Sequence, residues 1–310
     1  VLDLVAAALA AAATPPAVCR GVAEPVIDVH LHAYEGDIRF VRRTPNPRTG
    51  EPSAATDAAS HRRLTLSEMG RLGIVRGIVS SDGFTGPAEK MVAESGGRVL
   101  LGFGRDEVPS IQDLAQMRAL AEAGKLALLG EIAPQYAGVA PDDPRMEPFW
   151  ALAEQLQIPV GYHMGSGPAL ITQQGAPAHR AALGRPLLIE EVLVRHPRLK
   201  LFIMHAGWPF ADEIQALLNS YPNVYVDLGA IHWYENRQAF HAYLKRLVDE
   251  GFGKRIMFGS DQMVWPEAIG ESLEAYREAD YLTSEQRRDI LFNNAERFFG
   301  WTDLAGCGAR

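Results

Sequence analysis

The chain has 310 residues, 47% of them hydrophobic, and 30 Lys and Arg against 38 Asp and Glu give a formal charge of −8. That length can bury a large core, as two ordinary domains or as one α/β barrel of about 250 residues. The acidic balance argues against nucleic-acid and anionic-membrane partners, which need a basic face, and leaves small molecules as the expected clientele.

The opening stretch, "VLDLVAAALAAAATPPAVC", is apolar and alanine-rich but too short to span a membrane. Residues 1–24 read either as the remains of a signal peptide, which implies an exported or periplasmic protein, or as an ordinary N-terminal amphipathic helix of a cytoplasmic one. Cys19 and Cys307 are the two cysteines, near opposite ends. Neither a disulfide framework nor a thiolate metal cluster is therefore expected, and any metal must be held by His and carboxylates.

From residue 25 the chain repeats one theme, a short β-rich run, a loop, then a segment of helical periodicity. The first run, "VIDVHLH" from Val26, carries His30 and His32 one residue apart. Side chains on a strand alternate, so the two imidazoles point to one side together with Asp28. Leaving both buried and unpaired is costly, and a divalent cation would satisfy them together. Residues 33–60, rich in Pro, Gly, Arg and Thr, follow as a long loop segment.

The later runs are "VRGIVSS" from Val75, "VLLGFG" from Val99, "ALLGEIA" from Ala127, "PVGYHMG" from Pro159, "KLFIMHAG" from Lys200, "VYVDLGA" from Val224 and "RIMFGSD" from Arg255, which makes eight in all. Between them lie segments such as "FADEIQALLNSY", where Phe210, Ile214, Leu217, Leu218 and Tyr221 share one helical face. Eight strands too apolar to have a solvent face, alternating with helices, predict parallel strands inside a ring of helices. The expected fold is a single (β/α)8 TIM-like barrel over residues 25–310, since no Gly-x-Gly-x-x-Gly fingerprint supports an open doubly wound sheet.

Glu131, His163, His205 and Asp261 all fall at the C-terminal ends of such runs, where a barrel gathers its catalytic groups. Singly, each has a plain structural use: a carboxylate could cap the following helix, and a histidine could be a hydrogen-bonded core residue. Together with His30 and His32 they place four histidines and two carboxylates at the ends of five strands. That conjunction points to one metal-binding mouth.

These residues resemble the amidohydrolase superfamily, and within it the group that includes the aminocarboxymuconate-semialdehyde decarboxylase-like enzymes. "VIDVHLH" looks like the family's strand-one motif, "MFGSDQMVWP" like its strand-eight motif and "ILFNNAERFFG" like its C-terminal helix. The resemblance implies a divalent metal, most often zinc with manganese or cobalt as alternatives, held by His30, His32 and Asp261 and completed by His163 and His205. Many binuclear members carry a carboxylated lysine at the end of strand four. Glu131 stands there instead, similar to the bridging glutamate of TatD-like metal-dependent hydrolases, which admits one or two metals per chain.

The implied activity is hydrolysis of a small-molecule ester, lactone, amide or phosphoester by metal-activated water, with Asp261 as proton acceptor and His205 able to polarise substrate. Non-oxidative decarboxylation on the same scaffold is the alternative. Arg39, Arg42, Arg43 and Arg105 could grip a substrate carboxylate, although a solvated surface is the commoner fate of an arginine. Tyr136, Trp208, His232, Trp233 and Trp265 lie just beyond strand ends and could wall a pocket or pack loop against helix. A homo-oligomer is compatible with all of this.

Overall fold

The computed structural model describes residues 17–36, 38–83 and 85–307. The alternative readings of residues 1–24 fall mostly on 1–16, outside the described residues. All eight apolar runs form strands: β1 (Val26–His32), β2 (Ile74–Ser80), β3 (Val99–Arg105), β4 (Leu126–Ile132), β5 (Val160–His163), β6 (Leu201–Met204), β7 (Tyr225–Asp227) and β8 (Ile256–Met257). They pair in sequence order, each parallel to the next. Backbone bonds then close the ring, as Val29 N–H donates to Phe258 O (3.0 Å) and Asp261 N–H donates to His30 O (2.8 Å). This is the single barrel that the alternation of strands and helices predicts.

Every residue of β2, β5 and β6 is buried, as expected for parallel strands covered on both faces. The helix Ala211–Ser220 buries Ile214, Leu217 and Leu218 in the same apolar core. Among the described residues no helix is long and apolar enough to cross a membrane. The segment after β1 is more ordered than a loop. It holds a short helix, Ile38–Arg42, a Pro45–Pro52 bridge and the start of the helix Ala58–Arg71, which Asp57 caps by accepting from Ser60 N–H. Tyr34, Phe40 and His61 pack together beside it, the Tyr34 and Phe40 rings 6.0 Å apart.

The C-terminal helical segment, residues 284–299, contains a π-helical turn at Asp289–Asn293. That turn exposes Ile290 O to accept from Phe258 N–H (3.0 Å), and Asn294 Nδ2 donates to Gly253 O and Ile256 O. The last helix is thereby pinned to β8. Phe292, Ala295 and Phe298 pack into the cluster that holds Ile27, Val29 and both cysteines.

The cysteines correct the sequence-based expectation. Cys19 and Cys307 are bonded to each other, with Cα atoms 5.6 Å apart. A separation of 288 residues says nothing about distance once the barrel closes and brings the first turn and the last onto one face. Arg76 supports the same junction by pairing with Asp303 (2.6 Å) and lying over the Trp301 ring. Such a bond restricts the unfolded chain and typically contributes about 2–4 kcal/mol. Reduction by dithiothreitol should therefore lower the urea midpoint of unfolding. An unchanged midpoint, or two alkylatable thiols in the untreated protein by mass spectrometry, would show that the bond does not form in solution.

Candidate metal centre

His30 and His32 leave β1 on the same side, their ring centroids 5.1 Å apart, as strand alternation requires. Glu131 and His163 come from the ends of β4 and β5, and His205 and Asp261 from just beyond β6 and β8. The last two do not arrive by alternation alone. His205 has φ 58° and Asp261 φ 48°, a left-handed backbone that costs a non-glycine residue about 1 kcal/mol or more. Asp261 is no helix cap, because the next helix begins at Ala268.

The donor atoms form two groups joined by one carboxylate. Glu131 Oε2 lies 3.4 Å from His30 Nε2 and 3.3 Å from His32 Nε2, and Asp261 Oδ1 lies 2.9 Å from His32 Nε2 and 3.8 Å from His30 Nε2. Glu131 Oε1 faces the other way, in contact with His163 Nδ1 and 3.3 Å from His205 Nε2. The ligand atoms of His30, His32 and Asp261, and those of Glu131, His163 and His205, each lie within 4.8 Å of one another. The separations within each group are in fact no more than 3.8 Å, short enough for one ion bonded at about 2.0–2.2 Å to reach every member.

Imidazole nitrogens also meet in pairs, His30 Nε2 with His32 Nε2 at 3.2 Å and His163 Nδ1 with His205 Nε2 at 3.1 Å. Two lone pairs cannot face each other at that distance without a proton or cation between them. Three of the opposite nitrogens are occupied: His30 Nδ1–H donates to Asp227 Oδ2 (3.0 Å), His205 Nδ1–H donates to Gly229 O (2.9 Å), and His163 Nε2 lies 3.2 Å from the Tyr136 hydroxyl. Those outer partners select the tautomers whose free nitrogens face inward.

Burial opposes charge on all of these groups; at His163 burial and the neighbouring His205 prevail and hold the imidazole below the usual histidine range, whereas at the others mutual attraction outweighs burial. Asp261 and Asp227 hold His30 well above the usual histidine range, and Asp261 with Glu131 pushes His32 up to about 10. The histidines in turn hold Glu131 and Asp261 well below the usual carboxylate range. Burial pushes Asp28 up to about 6; its Oδ1 accepts from His30 N–H and Ser260 N–H.

The other sequence candidates are placed differently. The Arg39 guanidinium lies 5.5 Å over the Tyr34 ring, which stacks on His32, so it stands beside the cluster. Arg105 is engaged by Asp113 (3.3 Å), Glu107 (3.4 Å) and Asp82 (3.6 Å). Half-buried Trp208 packs edge-on against Tyr243. Trp265 is buried against Trp233 and donates to Thr44 O. His232 is fully buried beside Phe240, Phe258 and Tyr276, bonded through Nε2 to Gly259 O.

Asp227 is a site residue that sequence reasoning passed over. Besides His30 it accepts from His205 N–H (2.9 Å) and Gly229 N–H (2.8 Å), so one fully buried carboxylate ties β7 to residues of β1 and β6. Its oxygens accept from three N–H donors, and with His30 and His205 it also forms a third buried group whose ligand atoms lie within 4.8 Å of one another. A Cβ on Gly259 would come within 3.0 Å of Asp227 Oδ2 and 2.6 Å of His30 Cβ, which is why that position carries glycine. The signal was present in "VYVDLGA", an acid closing an apolar run like Glu131 and Asp261.

The sequence profile of the amidohydrolase family matches residues 27–301. A curated relative, protein fluG of Emericella nidulans, is 26% identical over 129 residues, a match spanning 37% of this chain and 15% of that protein. Among solved structures, an uncharacterized TIM-barrel protein from Bordetella bronchiseptica is similar over 92% of this chain and 100% of its own, with TM-score 0.69 and 19% identity. A probable 2-pyrone-4,6-dicarboxylic acid hydrolase from Acinetobacter baumannii matches over 89% and 99% (TM-score 0.59, 14% identity), and 5-carboxyvanillate decarboxylase from Sphingomonas paucimobilis over 89% and 99% (TM-score 0.56, 15% identity). Fold and site define a parallel barrel with buried His and carboxylate clusters, compatible with metal, at its C-terminal mouth. The chain belongs to the amidohydrolase family.

Two measurements test this geometry. Asp227→Asn keeps an oxygen for the two backbone donors but loses the charge facing His30 Nδ1–H, so zinc affinity should weaken about 10–100-fold with the thermal midpoint little changed; unaltered affinity would remove Asp227 from the site. The second concerns His232, which burial pushes down to about 4. Its folded value lies below the unfolded one of about 6.5, so stability is full above pH 6.5 and falls as pH drops towards 4, by at most about 3 kcal/mol. Between pH 7 and 4.5, His232→Gln should lose less stability in urea titrations than the wild type does.

Proposed function

We propose that the protein is a metal-dependent hydrolase with two divalent ions per chain, zinc foremost, acting on an ester, lactone, amide or phosphoester of a small molecule. The observation that carries this reading is Glu131, which turns one oxygen to each donor group. His30, His32 and Asp261 would hold one ion, His163 and His205 the other, with Glu131 shared. The donor set fits zinc, manganese or cobalt, because every ligand is an imidazole or a carboxylate. Bound there, such ions lower the pKa of water towards neutrality and polarise the substrate oxygen.

The chain's own groups then manage the proton. As water oxygen bonds to the acyl carbon or phosphorus and the bond to the leaving atom breaks, Asp261 accepts the water proton and passes it to that atom. Arg39, over the Tyr34 ring that stacks on His32, would pair with an anionic substrate group. A decarboxylating lyase on this scaffold is the second reading, favoured by the likeness to a decarboxylase barrel.

Metal content by mass spectrometry, with a screen against lactones, aryl esters, phosphotriesters and aromatic carboxylates, separates the two. Hydrolysis predicts two ions per chain and one after Glu131→Ala; a single tight ion with turnover of an aromatic carboxylate would transfer the assignment to the lyase. Asp261→Asn should keep the fold and much of the metal while losing about 10²–10⁴ in turnover, without rescue by added metal. His30→Ala should lose metal and recover partly in excess zinc.

A further inference from the structure

Tyr136 lies on the turn Pro134–Ala137 that directly follows β4, five residues beyond Glu131. Its ring packs edge-on against His163, with centroids 5.0 Å apart, and tilts against His179 at 5.6 Å on its other side. Buried His179 backs the phenol, and the hydroxyl comes within 3.2 Å of His163 Nε2.

The proton count at this contact is informative. His163 faces the donor cluster with Nδ1, which touches Glu131 Oε1 and lies 3.1 Å from His205 Nε2. A neutral imidazole that offers its Nδ1 lone pair to a cation carries its one N–H at Nε2. With Nδ1 turned to a cation, that N–H would donate to the Tyr136 oxygen, 3.2 Å away. A phenol has a single proton, and here it is not spent on His163.

The other two outer contacts have no such surplus. His30 Nδ1–H is received by the Asp227 carboxylate and His205 Nδ1–H by the Gly229 carbonyl, groups that accept and have nothing to donate. Either kind of acceptor would serve to fix the tautomer of His163. The hydroxyl adds a donor, rigidly placed, one side chain away from the cluster.

We propose that Tyr136 is a catalytic residue whose O–H donates to the substrate oxygen on which negative charge develops, its own oxygen being held by His163 Nε2–H. The inference rests on the hydrolase reading above. A neutral donor fixed before reaction stabilises the developing charge without reorganisation, and removal of one such donor typically costs about 10²–10³ in turnover. No proton leaves the phenol in this role.

Tyr136→Phe tests it, since the ring that packs on His163 and His179 stays and the hydroxyl goes. Three quantities are compared in the zinc-loaded wild type and variant: zinc dissociation constants, the affinity for inorganic phosphate by calorimetry, and kcat and KM on whichever compound of the screen is turned over. The expected result is full zinc content with dissociation constants within about threefold, phosphate binding at least about tenfold weaker, and kcat about 100-fold lower at similar KM. Unchanged phosphate affinity and kcat would overturn the proposal. So would zinc loss that accounts for the defect, which would make Tyr136 a support for His163 only. A wild type that holds zinc but turns over nothing in the screen would sink the hydrolase reading instead, and the phosphate comparison would still decide Tyr136.

Discussion

Two buried carboxylates set among four imidazoles are the constraint that the rest of this molecule serves. Side-chain exposure at Asp261 is 4% and at Glu131 13%, so neither charge has enough water to sustain it. An unpaired carboxylate in such a place would simply take up a proton. The protein surrounds both with histidines, and at His30, His163 and His205 the outer nitrogen already has a partner, so that the inward nitrogens are left to answer the charge. A divalent cation does this better than protons, because one ion replaces several and also separates the facing nitrogens.

Holding that arrangement requires a frame which does not yield. Parallel strands supply it, since the six cluster residues come from five strands, each set in position by two neighbours along the ring. Asp227 and Gln262 stitch the ends together: Asp227 reaches residues of β1 and β6, while Gln262 both accepts from His32 N–H and donates to His32 O. The left-handed backbones at His205, Ala206, Ala230, Asp261 and Met263 collect just beyond β6, β7 and β8. Strain concentrated beside a functional cluster is tolerated where the surrounding packing over-determines it.

The opposite end of the barrel is built for stability and, among the described residues, carries none of the His and carboxylate cluster. Cys19 and Cys307 join the first described turn to the last, in a cluster with Phe298 and Leu304. Active-site loops on one face and a covalently fastened base on the other divide function from stability within one barrel. Arg105 is held on the functional face by carboxylates of its own surroundings. It follows β3 on the functional face, yet three carboxylates engage it, as any buried or half-buried cation demands.

The sequence by itself determined the strands, their order and the residues that meet at the mouth, because period-two alternation and placement at the end of an apolar run are local properties. His30 with His32, Glu131, His163, His205 and Asp261 were all legible in that way. Asp227 carried the same local mark but no role could be attached to it, since what it does depends on residues 197 positions away in His30 and 22 away in His205. The same holds for the donor geometry of Tyr136, the burial of His232 and Trp265, and the Cys19–Cys307 bond. Each depends on which parts of the chain are brought together, and distance along a chain does not report distance in space until the barrel has closed.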